Sequence, residues 1–196
     1  NKLLEKHGYA EEAEVRVRAT FFVRQVVDGI ASTEDYPVEV AAVVRRGPPR
    51  SVSYRTRVTA TGLTVCPCAL EETKRQASHT QRCLLDIEVE VRDHPPPLFE
   101  WLIEVASASF SAPTLSHLKR RDEAHLLVSA FQKPRFVEDV VRHAAYMIAT
   151  LLHQKGFDDA RIRIRATSLE SIHKYDIYAE RVGTLRELLA EYRPHQ

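Results

Sequence analysis

The sequence is short of cysteine, of long apolar stretches and of any surplus of charge. Three cysteines in 196 residues, an odd count in a chain too long to need staples, argue against a disulfide framework and point to thiol or metal chemistry. No apolar run approaches the roughly 18 to 20 residues needed to span a bilayer, and nothing at the start of the chain reads as a signal peptide. Lys and Arg number 28 against 27 Asp and Glu, a net charge of +1 with the signs interspersed. That balance gives no field for a polyanion, so neither a dedicated nucleic-acid partner nor an anionic membrane is expected. The expected location is the cytosol. With 44% hydrophobic and 28% charged residues, the chain suits one large domain or two small ones, and wholesale disorder is excluded. Nine histidines add to the case for metal or proton-transfer chemistry.

An internal echo organises the chain. Leu3-Leu4, Gly8-Tyr9, Glu11-Glu12-Ala13 and then Glu14 to Thr20 match Leu151-Leu152, Gly156-Phe157, Asp158-Asp159-Ala160 and then Arg161 to Thr167, with one extra residue, Ala10. Each copy reads as a helix ending in leucines, a glycine at the C-cap site where positive φ is cheap, and a strand of alternating apolar and charged residues. The second copy closes a fuller unit. Residues 50–60 and 83–92 alternate as strands, 97–108 and 134–154 read as helices, 161–167 and 175–181 as two more strands, and 185–192 as a short terminal helix. The order is strand, strand, helix, helix, strand, strand, an α+β class. Residues 1–46 then form the tail of an earlier copy and 47–196 a complete one, and the repeat arithmetic places roughly 80 to 100 residues before Asn1.

Four clusters carry candidate chemistry. Cys66-Pro67-Cys68 ends an alternating strand and Ser78-His79 leads into the next, close enough for one metal to take a sulfur and an imidazole nitrogen. A four-thiolate site is impossible with three cysteines, and a mixed site with an open position is the catalytic kind. The plainer alternative is a pair of small strand-end side chains and a surface histidine. Arg120-Arg121-Asp122-Glu123 opens a helical stretch, where Glu123 either satisfies the helix dipole or acts as an oxygen ligand or base, with Lys119 and Arg120 able to meet phosphates. Glu138 opens the longest helix, as a dipole-satisfying carboxylate or as a reader of guanine's N1-H and amine edge. The loop Glu170-Ser171-Ile172-His173 sets a carboxylate and an imidazole three residues apart, an acid and base pair or a further metal ligand.

Together, Thr-x-Cys-Pro-Cys, Ser-His-x-Gln-Arg, Leu-Lys-Arg-x-Asp-Glu, Pro-x-Phe-Val-Glu-Asp-x-Val-Arg and Glu-Ser-Ile-His resemble the type IB GTP cyclohydrolases, in family order from about Arg55 to Leu188. The resemblance implies a tunnelling fold, with an antiparallel four-stranded sheet and two helices on one face in each of two tandem units. It implies a homo-oligomer, dimer or tetramer, with active sites between subunits. It places Cys66, His79 and Glu123 around a divalent metal, iron(II), manganese or zinc, with His173 as a further ligand or proton donor. Cys68 handles substrate at the reacting carbon, Glu170 and His173 serve the catalysis, and Glu138 anchors guanine. The substrate implied is GTP, its triphosphate met by Arg82, Lys119, Arg120 and Arg142. The products implied are formate and a 7,8-dihydroneopterin phosphate, either the triphosphate or, in the archaeal style towards which residues 173–185 lean, a 2′,3′-cyclic phosphate. Such a product feeds folate, methanopterin or deazaguanine pathways. Arg121 and Thr80 depart from the family's usual proline and asparagine. The alternatives are another purine or pterin enzyme on the same fold, and a binding module holding a structural metal.

Overall fold

The computed structural model describes residues 2–27, 29–48 and 51–191. A short helix α1 (Lys2–Lys6) leads into two long strands, β1 (Glu12–Val27) and β2 (Ile30–Arg45). They are followed by β3 (Ser51–Val65), helix α2 (Pro67–Glu72), β4 (Thr80–Arg92), helix α3 (Phe99–Ser109) and the two-residue β5 (Ala112–Pro113). Helices α4 (Arg120–Gln132) and α5 (Val137–Gln154), strands β6 (Arg161–Ser168) and β7 (Ile177–Thr184), and helix α6 (Leu185–Glu191) complete the order. Arg50 and Tyr192, end residues of two expected elements, lie outside the described residues. Among the described residues no helix is long and apolar enough to cross a membrane.

The strands form one antiparallel sheet in the order β1-β2-β3-β4-β6-β7. Four contiguous strands, β3-β4-β6-β7, make the block expected from the sequence, with α3 and α5 on one face, but the β1–β2 hairpin widens the sheet beyond four. The pairing of β2 with β3 joins residues on either side of the 46/47 position, with Val38 opposite Val58 through Arg45 opposite Ser51. Beyond Val38 the two strands part, and β5 takes the freed edge of β3 at Gly62 and Leu63. Glu34 ties that insertion down, its carboxylate accepting from the Ser116 amide at 2.9 and 3.0 Å and from Ser116 Oγ at 2.7 Å.

Strand alternation sends two kinds of residue to two faces. Val58, Leu85, Ile87, Val89, Ile162 and Ile164 are fully buried beneath Leu102, Ala106, Val140, Ala144 and Ile148 of α3 and α5. The helix α5 earns its place through apolar residues three and four apart, Val137, Val140, Val141, Ala144, Ile148 and Leu152. It starts later than the sequence suggests. Arg135 donates its amide to Val65 O at 3.1 Å, holding this segment extended against the end of β3, and Phe136 is left 40% exposed rather than on the apolar face. The Arg135 guanidinium caps the end of α3, donating to Ala108 O and Ser109 O at 3.2 and 2.6 Å.

The echo is realised as a helix followed by a strand in both copies, α1 into β1 and α5 into β6. Gly156 takes the expected positive φ of 79°. Gly8 does not; the extra Ala10 lets a turn close by Ala10 N to His7 O at 2.9 Å, which needs no left-handed residue.

The face away from the helices is a lattice of opposite charges. Asp86 accepts from Arg57 Nε at 2.8 Å, Thr59 Oγ1 at 2.7 Å and Arg165 Nη2 at 3.3 Å. Burial pushes its carboxyl up, but the hydrogen bonds from Arg57 and Thr59 and the charges of Arg57 and Arg165 outweigh that and hold it below the usual carboxylate range. A depressed carboxylate stabilises the fold fully above the unfolded pKa, about 3.9, and the contribution is lost as pH falls through the native value. Asp86→Asn is expected to cost about 1 to 3 kcal/mol at pH 7, and the gap to wild type should close below about pH 4. Urea unfolding at a series of pH values checks this; a gap of constant size would contradict it.

Candidate active site

The site grows from the neck where β3 leaves the sheet and β4 enters it. The pairing Thr64 with Gln81 and Val65 with Thr80 brings the strand ends together, and Cys66 N donates to His79 O at 3.2 Å. Ser78 Oγ closes the neck on Cys66 O at 2.7 Å. Cys66 is the N-cap of α2, with Pro67 in the first turn, where a missing N–H costs nothing, and its Sγ accepts the Ala69 amide at 3.5 Å. Cys68, one residue further into α2, is exposed, and all three cysteines are free thiols.

The second half comes from the β6–β7 loop. Leu169 N donates to Arg82 O at 2.9 Å, continuing the β4–β6 pairing by one residue and setting Glu170 opposite Gln81. Glu170 N donates to Asp176 Oδ1 at 3.2 Å. Its carboxylate, 4% exposed, accepts from His173 Nδ1 at 3.0 Å, Ser168 Oγ at 2.7 Å and Gln81 Nε2 at 3.2 Å. The spacing of Glu170 and His173 therefore makes the expected carboxylate–imidazole pair. The rings of His79 and His173 meet edge to face with centroids 5.8 Å apart, and Tyr175 stacks on His173 at 5.3 Å.

Cys66, His79, Glu170 and His173 are thus gathered at one end of the sheet. The other expected residues stand elsewhere in the chain. Arg82 is on β4 but, by alternation, on the opposite face from Gln81. Lys119, Arg120 and Glu123 are exposed at the N-terminal end of α4, and Glu138 is exposed in the first turn of α5. Arg142 pairs with Asp139 at 2.6 Å on the surface of α5. The α2 loop meets α4 at its other end, through Arg75 Nη2 to Phe131 O at 3.1 Å. Three residues that sequence reasoning did not single out, Gln81, Thr64 and Ser168, are bonded into the cluster. Two of them carried a signal, Gln81 inside the Ser-His-x-Gln-Arg motif and Thr64 as the threonine that opens the Cys-Pro-Cys motif.

The neck's donor chemistry suits a borderline divalent cation. Cys66 offers a partly exposed sulfur, and His79 engages its Nδ1 with Gln81 Oε1 at 2.9 Å, leaving Nε2 for a ligand. Among the described residues no three His, Cys, Asp or Glu side chains are grouped to hold a metal ion.

Cys83 lies just behind the site, opposite Gly62 and Ser168. Burial pushes its thiol up to about 12, and the Glu170 charge adds to the shift. The thiolate is the reactive form. Alkylation of the native protein at pH 8 should therefore label Cys68 and spare Cys83 until the chain unfolds. Peptide mass mapping reads the result, and labelling of Cys83 as fast as Cys68 would contradict it.

A buried carboxylate holding an imidazole, a second imidazole across from it and a free thiol at a loop neck are groups suited to proton transfer and ligand binding. Comparison with known proteins names the class. The family model described as type I GTP cyclohydrolase folE2 matches residues 1–179, and the chain belongs to that family and is an enzyme of that type. GTP cyclohydrolase MptA of Aeropyrum pernix is 38% identical over 201 residues, covering 98% of this chain and 68% of the relative. The GTP cyclohydrolase MptA of Methanoculleus marisnigri is 32% identical over 217 residues, with 97% and 69% covered. That of Korarchaeum cryptofilum is 34% identical over 202 residues, with 98% and 68% covered.

Proposed function

We propose that the enzyme opens the imidazole ring of GTP, releases formate and yields a 7,8-dihydroneopterin phosphate, on a tunnelling fold of which residues 47–196 are one unit and 1–46 the tail of another. Family membership supports the reaction, and the convergence of His79 and His173 on either side of the Gln81–Glu170 pair is the observation that carries the site. Cys66 and His79, with Glu123 and His173, are the residues that would hold a divalent cation, iron(II), manganese or zinc. Such an ion supplies a water acidic enough to act as hydroxide near neutral pH.

The chain's own groups do the rest. Opening the ring adds water across carbon 8 of guanine and breaks the bond from carbon 8 to nitrogen 9, so one proton must reach the departing nitrogen. His173, where it acts as proton donor rather than as ligand, delivers it from Nε2 in its imidazolium form, because its Nδ1 is held by Glu170. Glu170, itself 4% exposed, keeps that 39% exposed ring oriented. A second hydrolysis cleaves the formyl group from nitrogen 7 as formate. In this reading Cys68 handles the substrate at the reacting carbon, Glu138 accepts from guanine's N1-H and amine, and Lys119, Arg120 and Arg82 meet the phosphates. The exposure of Glu123, Glu138, Lys119 and Arg120 on α4 and α5 suits a site completed between copies of the chain in a homo-oligomer. The test is formate release from GTP by the assembled protein, with phosphorus NMR separating a triphosphate from a 2′,3′-cyclic phosphate product. Absence of formate under every metal tried would refute the reading.

A further inference from the structure

We infer that Gln81 is a positioning residue that fixes the tautomer of His79, so that Nε2 carries the lone pair. Its relevance to catalysis rests on the reading of His79 as a ligand; the tautomer itself rests on geometry alone.

Gln81 sits at a junction of three strands. Its Nε2 lies 3.2 Å from Thr64 Oγ1, 3.3 Å from Ser168 Oγ and 3.2 Å from Glu170 Oε1. Its Oε1 lies 2.9 Å from His79 Nδ1 and accepts from Ser171 Oγ at 3.4 Å. Both neighbouring hydroxyls have already committed their protons. Ser168 Oγ donates to Glu170 Oε1 at 2.7 Å, and Thr64 Oγ1 to Gln81 O at 3.5 Å. A carboxylate has no proton to give. Three acceptors therefore crowd the NH₂ end, which has two protons to share among them, and the oxygen end could serve none. Turning the amide over would set its oxygen 3.2 Å from a carboxylate oxygen and leave two hydroxyl acceptors unserved.

The consequence passes to the histidine. With Oε1 facing it, His79 Nδ1 must be the donor, and a neutral imidazole then has its lone pair on Nε2. Glu170 does not set this ring directly, since its Oε2 is 3.8 Å from His79 Nδ1, beyond hydrogen-bond reach. Glu170 instead orients the amide of Gln81 from one oxygen and the ring of His173 from the other, at 3.0 Å. One buried carboxylate thus presents the Nε2 lone pairs of both imidazoles, and Gln81 is the link that carries its polarity to His79. Orienting partners of this kind affect metal affinity by about 10- to 100-fold.

Nitrogen-15 NMR of the protein labelled at histidine, at pH 8 and assigned with a His79→Ala control, tests the tautomer directly. Wild type should show His79 protonated at Nδ1 and bare at Nε2. Gln81→Met, of similar length but without an acceptor, should lose that signature. Zinc affinity should fall about 10- to 100-fold in Gln81→Met, with native circular dichroism. An Nε2-protonated His79 in wild type, or a Gln81→Met protein with unchanged tautomer and zinc affinity, would overturn the inference. A wild-type protein with the Nδ1-protonated ring that releases no formate from GTP supports the inference and removes only the proposed reaction.

Discussion

Cys66→Ala is expected to lower formate release from GTP by more than about 10³-fold, the scale of loss when one member of a catalytic unit is removed, while the protein stays folded. The two halves of that statement have separate physical grounds. Cys66 supplies the sulfur at the neck, and neither Cys68, exposed on α2, nor Cys83, buried behind the site, stands in its position. Its structural work is small. Sγ accepts one long bond from Ala69 N at 3.5 Å, Pro67 already begins the helix, and losing the cap costs about 1 kcal/mol. Glu123→Ala should reduce activity to a similar degree with even less effect on stability, because Glu123 is exposed and exposed substitutions move stability by about 0.5 kcal/mol or less. A formate assay run beside a thermal melt reads both halves. Wild-type rates in either variant would show that these side chains take no part in the reaction.

Gly62→Ala should be the most damaging small substitution in the sheet. A Cβ at Gly62 would fall 2.1, 2.2 and 2.6 Å from Cγ, Cδ2 and Cδ1 of Phe110, well inside contact distance. The ring has nowhere to go, since Phe110 is 1% exposed and packed within the main core. Gly62 in turn is paired to Cys83 on one side and Pro113 on the other, so the strand has little freedom to retreat. Overpacking of this kind is expected to cost about 3 kcal/mol or more. Phe110→Ala alone should cost about 3 to 5 kcal/mol through the cavity it leaves. In the double variant the new methyl occupies part of that cavity, so the combined loss should be smaller than the sum by at least about 1 kcal/mol. Urea unfolding of the three variants measures the coupling; a Gly62→Ala protein within about 0.5 kcal/mol of wild type would contradict the packing described.

Periodic burial made much of the fold legible. Val58, Leu85, Ile87 and Ile164 are apolar at every second position because α3 and α5 lie on that face, and α5 shows the three-and-four spacing of a helix buried along one side. Pattern does not reveal what covers a face. Val17 and Ile164 occupy equivalent places in the echo, yet Val17 is 54% exposed and Ile164 fully buried within the main core that α5 helps to form. Nor does it reveal how far a sheet extends, which here depends on β2 pairing with β3 across residues of opposite halves.

The site divides in the same way. Cys66 and His79 were legible because they flank a loop between strands that pair, and Glu170 with His173 because three residues separate them. Gln81 was quoted in a motif but its role was hidden, since it arises only where Thr64, Ser168 and Glu170 converge from separate strands. Gly62 was silent for a like reason, its constraint being a phenylalanine beyond α3.

The most direct measurement is a structure of the assembled protein carrying zinc and a guanine nucleotide. The expected result is one ion bound by Cys66 Sγ at about 2.3 Å and His79 Nε2 at about 2.0 to 2.1 Å, beside carbon 8 of the base, with Glu138 on the guanine edge. An ion bound away from Cys66, or a nucleotide whose base lies far from His79 and His173, would contradict it.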